Sequence, residues 1–270
     1  MSTSVPLTSQ QMTDRFFTML KSLEQFDELE VRNVIGGLLS PSEREKCFIA
    51  IYRRTTANVA TLLELKQPKH FQAISMLARA LFELAVDIRL IDALPRSCEK
   101  MIAFVNVEKL RRARQILKFK AQHPGSAVDA TTCDSFVAAN GASLETLKAT
   151  LWPNLKKVDH WSGRDLRSRV ALLSAPFEEI YDVHYPSLSW QVHPGLTGVV
   201  NLQAETFTLI CGQGFKLAVD SYWETLTAMT EEFRLVSGNR KIHSKMMAAK
   251  MLPFTDSPEQ AQQLLQELLS

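Results

Sequence analysis

The chain has 270 residues, 46% of them hydrophobic and 22% charged, enough to bury a sizeable core and inconsistent with a disordered tail or low-complexity scaffold. Thirty-one Lys and Arg against 29 Asp and Glu leave a formal charge of +2, so the whole molecule is no polycation and any role on nucleic acid must be local. Ten glycines and 11 prolines are too few for the closely spaced turns of an all-β chain.

Residues 1–10 mix Ser, Thr and Pro with small apolar residues and read as a disordered N-terminus. From Gln11 to Phe26 the spacing of Phe16, Phe17, Leu20 and Leu23 predicts a first helix with one buried stripe. Ser40-Pro41-Ser42-Glu43 reads as a capping box, the Ser40 hydroxyl accepting from the chain and Glu43 reaching back, and opens a helix to about Leu65. Pro68 breaks it, and a third helix runs from about Lys69 to Leu94, ahead of Pro95. Ser97 is placed to cap a fourth helix, which His123-Pro124-Gly125-Ser126 stops. Thr132 to Leu151 is helical, with Gly141 weakening its middle, and an irregular region starts at Trp152-Pro153. Short helices are expected over 165–173 and 176–185, the latter ended by Pro186. A long one follows over 203–236, kinked or divided at Gly212 and Gly214. Asp256-Ser257-Pro258 opens a terminal helix. The expected architecture is all-α, a single helical bundle domain over 11–255 with short accessory helices and a C-terminal helix over 256–270.

Several classes of chemistry drop out. Cys47, Cys98, Cys133 and Cys211 form no C-x-x-C pair and the first thirty residues lack an export signal, which points to the reducing cytoplasm. No His lies near a Cys at ligand spacing, so no metal is expected. The most apolar window, Ala73–Leu94, is interrupted by Arg79, Glu83, Asp87, Arg89 and Asp92; it is a buried helix and no membrane span. Gly212-Gln-Gly214 lacks the third glycine and the preceding strand of a nucleotide loop, and neither G-x-S-x-G nor H-E-x-x-H occurs. No cofactor is expected.

Three constellations remain. Gln72, Ser75, Arg79, Glu83 and Asp87 recur at spacings of three and four on a helix otherwise lined by Ile74, Leu77, Leu81, Phe82, Leu84, Val86 and Ile88. Either that stripe faces solvent, with Arg79 and Glu83 as an i,i+4 pair, or it aims Arg79 and Glu83 into a cleft. The second runs from Tyr181 through His184, Tyr185 and Ser189 to His193, where a helical turn would set the serine hydroxyl and the imidazole on one side. The third is the run Lys109, Arg111, Arg112, Arg114, Lys118 and Lys120, with no acid inside it. Arg111, Arg112, Arg114 and Lys118 are the candidate phosphate contacts, and a solvated surface is the plainer reading.

Arg79-Ala-Leu-Phe-Glu83, His160-Trp161-Ser162-Gly163 and Tyr181…Tyr185…Ser189-x-x-x-His193-Pro194 together resemble the prokaryotic domain-of-unknown-function family five-six-seven-seven, over about residues 50–200. The resemblance implies an all-helical fold in which Arg79, Glu83, Trp161, Tyr185, Ser189 and His193 converge, and carries no established activity. A looser similarity is to the HEPN class of helical proteins, many of which are ribonucleases in toxin–antitoxin and antiviral defence systems. Those place an Arg four to six residues before a His; none of the six histidines here has one at that interval. The expectation is therefore a cytoplasmic defence or stress-response protein that engages RNA or a protein partner, with a homodimer as one arrangement. RNA cleavage in it would rest on Arg79, Glu83, Ser189 and His193 in a cleft lined by Trp161, Tyr181 and Tyr185. The alternative is a non-enzymatic sensor or adaptor whose polar cleft takes a small ligand or protein partner.

Overall fold

A computed structural model of the chain describes residues 7–192, 203–235 and 240–252, with residues 255, 260, 263, 264 and 266 beyond them. Among the described residues the fold is all-α and no strand occurs. In chain order the helices are α1 (Ser9–Phe26), α2 (Arg32–Gly36), α3 (Glu43–Glu64), α4 (Phe71–Ala93), α5 (Ser97–Gln122), α6 (Thr131–Leu151), α7 (Leu166–Val170), α8 (Ala175–Glu179), α9 (Tyr185–Val192), α10 (Ala204–Glu232) and α11 (Arg240–Met251). Two turns of π-helix, Asp27–Val31 and Ile180–His184, join α1 to α2 and α8 to α9. The C-terminal helix expected over 256–270 falls largely outside the described residues. Contacts divide the chain into two compact units, residues 1–89 with 170–270, and residues 90–169.

In the first unit α1 packs along α10, which also meets α3, and α11 packs on α1. Helix α1 starts earlier than its apolar stripe requires, so Ser9 and Gln10 are helical rather than part of a disordered end. The cause is a capping box: the Gln11 amide donates to Thr8 Oγ1 (3.2 Å) and the Thr8 amide to Gln11 Oε1 (2.9 Å). Helix α3 opens at Ser42 instead of Ser40. The sequence offers two overlapping Ser-x-x-Glu boxes and only the later one forms both reciprocal bonds, Glu45 amide to Ser42 Oγ at 3.2 Å and Ser42 amide to Glu45 Oε2 at 2.6 Å.

Gly212 and Gly214 do not divide α10, which runs unbroken through both. A Cβ on Gly212 would stand 2.8 Å from Thr13 Oγ1, and one on Gly214 2.6 Å from Ile74 Cγ2. At the two glycines α10 is approached by Thr13 of α1 and Ile74 of α4, and Thr13 Oγ1 donates to the Thr208 carbonyl at 3.1 Å. Pro186 does not end its helix either. The π turn ahead of it bonds Tyr185 N to the Ile180 carbonyl, so the backbone is already widened where the proline ring and its missing N–H would otherwise break an α-helix.

The second unit is built on α5 lying along α6, with Ala103, Val107, Leu151, Trp152 and Val158 as its core and Phe104 and Leu147 packed against them. Ser97 does not cap α5. Arg96 takes the cap position in the left-handed region (φ 56°, ψ 28°), while Ser97 Oγ turns back to donate to the Ile91 carbonyl at 2.6 Å. Gly141 leaves α6 continuous, and its bare face admits Arg114, whose Nη2 would be 3.8 Å from a Cβ there.

Candidate functional site

The polar stripe of α4 is neither a solvent face nor a direct ion pair. Gln72 is exposed, Ser75 is fully buried and donates to the Phe71 carbonyl at 2.8 Å, and Arg79, Glu83 and Asp87 are half-buried. Tyr185 stands between the two central charges: Arg79 Nη2 donates to its hydroxyl at 2.8 Å and the hydroxyl donates to Glu83 Oε1 at 2.9 Å. The Arg79 guanidinium also lies over the phenol ring, 4.8 Å from its centroid, a cation–π contact. Tyr181 stacks on Tyr185 with centroids 5.5 Å apart, and Phe82 receives both Tyr185 (5.7 Å) and Phe177 (6.3 Å). Burial raises the phenol above its ordinary pKa and the Glu83 carboxylate adds to this, while the hydrogen bond from Arg79 opposes it.

Chemically this is an acid–base relay closed on itself. The Tyr185 proton is committed to Glu83, its lone pair to Arg79, and Arg79 Nε is buried with no acceptor among the described residues. Ser189 is half-buried one helical turn beyond Tyr185. His193, expected alongside Glu83 as a carrier of the proton, lies outside the described residues. Trp161 is in the second unit, buried, with its carbonyl accepting from Trp152 Nε1 at 2.8 Å; the arrangement around Tyr185 is made by first-unit residues alone.

A second charged cluster in the first unit is not visible in the sequence. Asp27, fully buried on the π turn after α1, accepts from the Tyr52 hydroxyl at 2.5 Å and from Arg32 Nε at 3.0 Å, and Arg32 Nη2 reaches Glu24 at 2.9 Å. The buried Tyr222 hydroxyl faces the same carboxylate without hydrogen-bond geometry. Burial pushes the Asp27 carboxyl above the ordinary range, against the hydrogen bond from Tyr52 and the pull of Arg32, and it raises both phenols.

In the second unit the turn at 159–164 is ordered by His160. Its Nε2 is 3.0 Å from Nη1 of buried Arg169 and its Nδ1 is 2.8 Å from Ser162 Oγ, which also accepts the Arg164 amide at 3.2 Å. An arginine can only donate, so Nε2 is the acceptor toward Arg169, while the Ser162 amide points at Nδ1 at 3.2 Å.

The same unit holds a groove rich in cations. The groove, of about 350 Å³, runs beside α5 and α6, floored by Val107, Leu110 and Val158. Arg111, Arg114 and Lys118 line it as the helical spacing predicts, and Lys148, Lys156 and Lys157 join them from α6 and the segment after it; Glu145 is the one carboxylate in the lining. Arg112 is not part of the lining and stands out in solvent. The run is less bare than its sequence, since Glu108 pairs with Arg111 (2.6 Å) and Arg112 (3.0 Å), Glu145 with Arg114, and Asp159 with Lys157 (2.7 Å). Lys118 and Lys156 have no ion pair among the described residues.

Among the described residues no three His, Cys, Asp or Glu side chains form a group that could hold a metal ion, and no helix is long and apolar enough to cross a membrane. The fold and its two charged sites define an all-helical protein with a phenol-bridged arginine–glutamate pair and a groove lined by six cations. The family whose model is described as a family of unknown function (DUF5677) matches residues 46–206, more than half of the sequence, and the chain belongs to that family. The matched region contains Arg79, Glu83, Tyr185 and the whole groove, and leaves out Asp27 and Tyr222. No curated protein and no solved structure gives a significant match.

Proposed function

We propose that this chain is an RNA-engaging helical protein whose second unit holds the phosphate backbone in the groove beside α5 and α6. The observation that carries the reading is the lining itself, six cations against one carboxylate, with Lys118 and Lys156 uncommitted. No aromatic side chain lines the groove, so bases have no platform to stack on, and recognition would follow the backbone and be tolerant of sequence. A cytoplasmic role in defence or stress response rests on the HEPN-like resemblance alone. Cleavage in this reading belongs to Arg79, Glu83, Ser189 and His193.

Fluorescence anisotropy with labelled mixed-sequence RNA at increasing salt tests the binding. Affinity should fall linearly on a log–log plot, and Lys118→Ala and Lys156→Ala should each flatten the slope by about 1. Salt-independent binding, or none at low ionic strength, overturns the reading. Incubating the same RNA with the parent protein, Arg79→Ala and His193→Ala separates binding from cleavage; identical RNA profiles for all three remove the catalytic version.

A second reading has its own support. Arg79 and Glu83 are already hydrogen-bonded to Tyr185, with only Arg79 Nε left without an acceptor among the described residues, which favours a non-enzymatic sensor or adaptor in which the polar network is structural. In that case Arg79→Ala lowers the melting temperature and changes no turnover.

A further inference from the structure

Helix α5 carries two faces. One supplies the groove and the core through Val107, Leu110, Arg111 and Arg114. The opposite one repeats at spacings of three and four through Ile102, Val105, Lys109, Arg112, Ile116 and Phe119. That is the a/d register of a coiled-coil seam sustained for almost the whole helix, about 26 Å at 1.5 Å per residue. Arg112 is two residues from Leu110, hence roughly 200° around the axis, so the seam and the groove do not share a side.

The apolar residues of the seam stand exposed, with Phe119 lying against the His123 ring and Arg112 held by Glu108 at 3.0 Å. Ile102 is 41% exposed, Val105 53%, Ile116 36% and Phe119 45%, and Lys109 is exposed with no ion pair among the described residues. A buried seam on one side of a helix is explained by its own core; a second in heptad register, with two isoleucines, a valine and a phenylalanine exposed, is not.

We infer that this outer face of α5 docks an amphipathic helix of another protein, apolar at its two ends and acidic at its centre. The charge pattern selects the occupant. A second copy of α5 laid antiparallel would set Lys109 against the partner's Arg112, and a parallel copy would set each cation against itself; both put like charges at the centre of the seam. A glutamate or aspartate pair there meets Lys109 and Arg112 while the flanking apolar residues cover Ile102, Val105, Ile116 and Phe119.

The test uses the full-length protein and two fluorescein-labelled synthetic peptides of three heptads, alike in carrying leucine at the outer a and d positions and differing in the central pair, glutamate in one and lysine in the other. Anisotropy should show the glutamate peptide binding at least about tenfold more tightly, and Ile116→Ser with Phe119→Ser should weaken it by about the same factor. Lys109→Glu with Arg112→Glu should reverse the preference, a change that a misfolded variant cannot produce. Lys156→Ala should leave peptide binding as it is, which separates this surface from the RNA groove. Equal binding of the two peptides, or binding of neither, overturns the inference. So does sedimentation showing a dimer that the Ile116 and Phe119 changes dissolve, since a second copy would then own the seam.

Discussion

The two units treat charge in opposite ways. In the first, Asp27 is enclosed with Tyr52 and Arg32, and Arg79 and Glu83 are joined through Tyr185; each of these four charges has a hydrogen-bond partner inside the fold. In the second, the cations line an open groove, and Lys118 and Lys156 have no ion pair among the described residues. Enclosed and satisfied networks fix an architecture, because removing one member strands the rest, whereas unmatched cations on an accessible surface cost the fold little and remain available to a ligand.

The sharpest way to break that contrast is Asp27→Ala, which leaves a buried phenol and a partly buried guanidinium without their acceptor. Urea unfolding should show a loss of about 3 kcal/mol or more. The pH dependence has a definite sign. Because the Asp27 carboxyl is held above its ordinary range, the folded chain keeps a proton that the unfolded chain releases. The resulting stability is complete below the ordinary carboxylate pKa and drains away as pH rises through the raised value. Asp27→Asn should remove that decline, and an unchanged decline would mean another group is responsible.

Gly214→Val comes next, since its side chain must enter space held by Ile74; the melt should report a loss of about 1–3 kcal/mol. Tyr185→Phe deletes two hydrogen bonds but leaves Arg79 and Glu83 one turn apart on α4, free to meet directly. The expected loss is therefore only about 1 kcal/mol by thermal unfolding. The smallest structural effect belongs to the second unit. Glu145→Gln should move stability by no more than about 1 kcal/mol. Yet it should tighten RNA binding several-fold, since it frees Arg114 and removes the single carboxylate of the groove. A large loss of stability from Glu145→Gln would erase the distinction between the units.

Much of the helical layout was legible because it depends on local signals. The stripe in α1, the Pro68 and Pro95 boundaries of α4 and the loop after Gln122 are set by residues a few positions apart. What could not be read depends on a distant partner. Gly212 and Gly214 look like helix weaknesses until Thr13 and Ile74 are seen against them. Asp27 sits in an acidic stretch that reads as surface, and its burial is decided by Tyr52 and Tyr222 from two other helices. Arg111, Arg114 and Lys118 could be placed on one face by their spacing, but Lys148, Lys156 and Lys157 come from another stretch and cannot be assigned to the same groove from sequence. Tyr185 was singled out from its motif; that it would separate Arg79 from Glu83 was not, because the i,i+4 spacing favours a direct pair.

The π turn at Ile180–His184 sets a phase. Phe177 and Tyr185 are eight residues apart, which in an ordinary α-helix would rotate them by roughly 80° relative to each other; absorbing one extra residue in the wide turn brings them back to within about 20°, so that both reach Phe82. Lengthening this segment by one more residue would swing the phenol away from Arg79. Shortening it by one would keep the phenol aimed, but would leave Pro186 in the middle of a regular helix with no slack to absorb it.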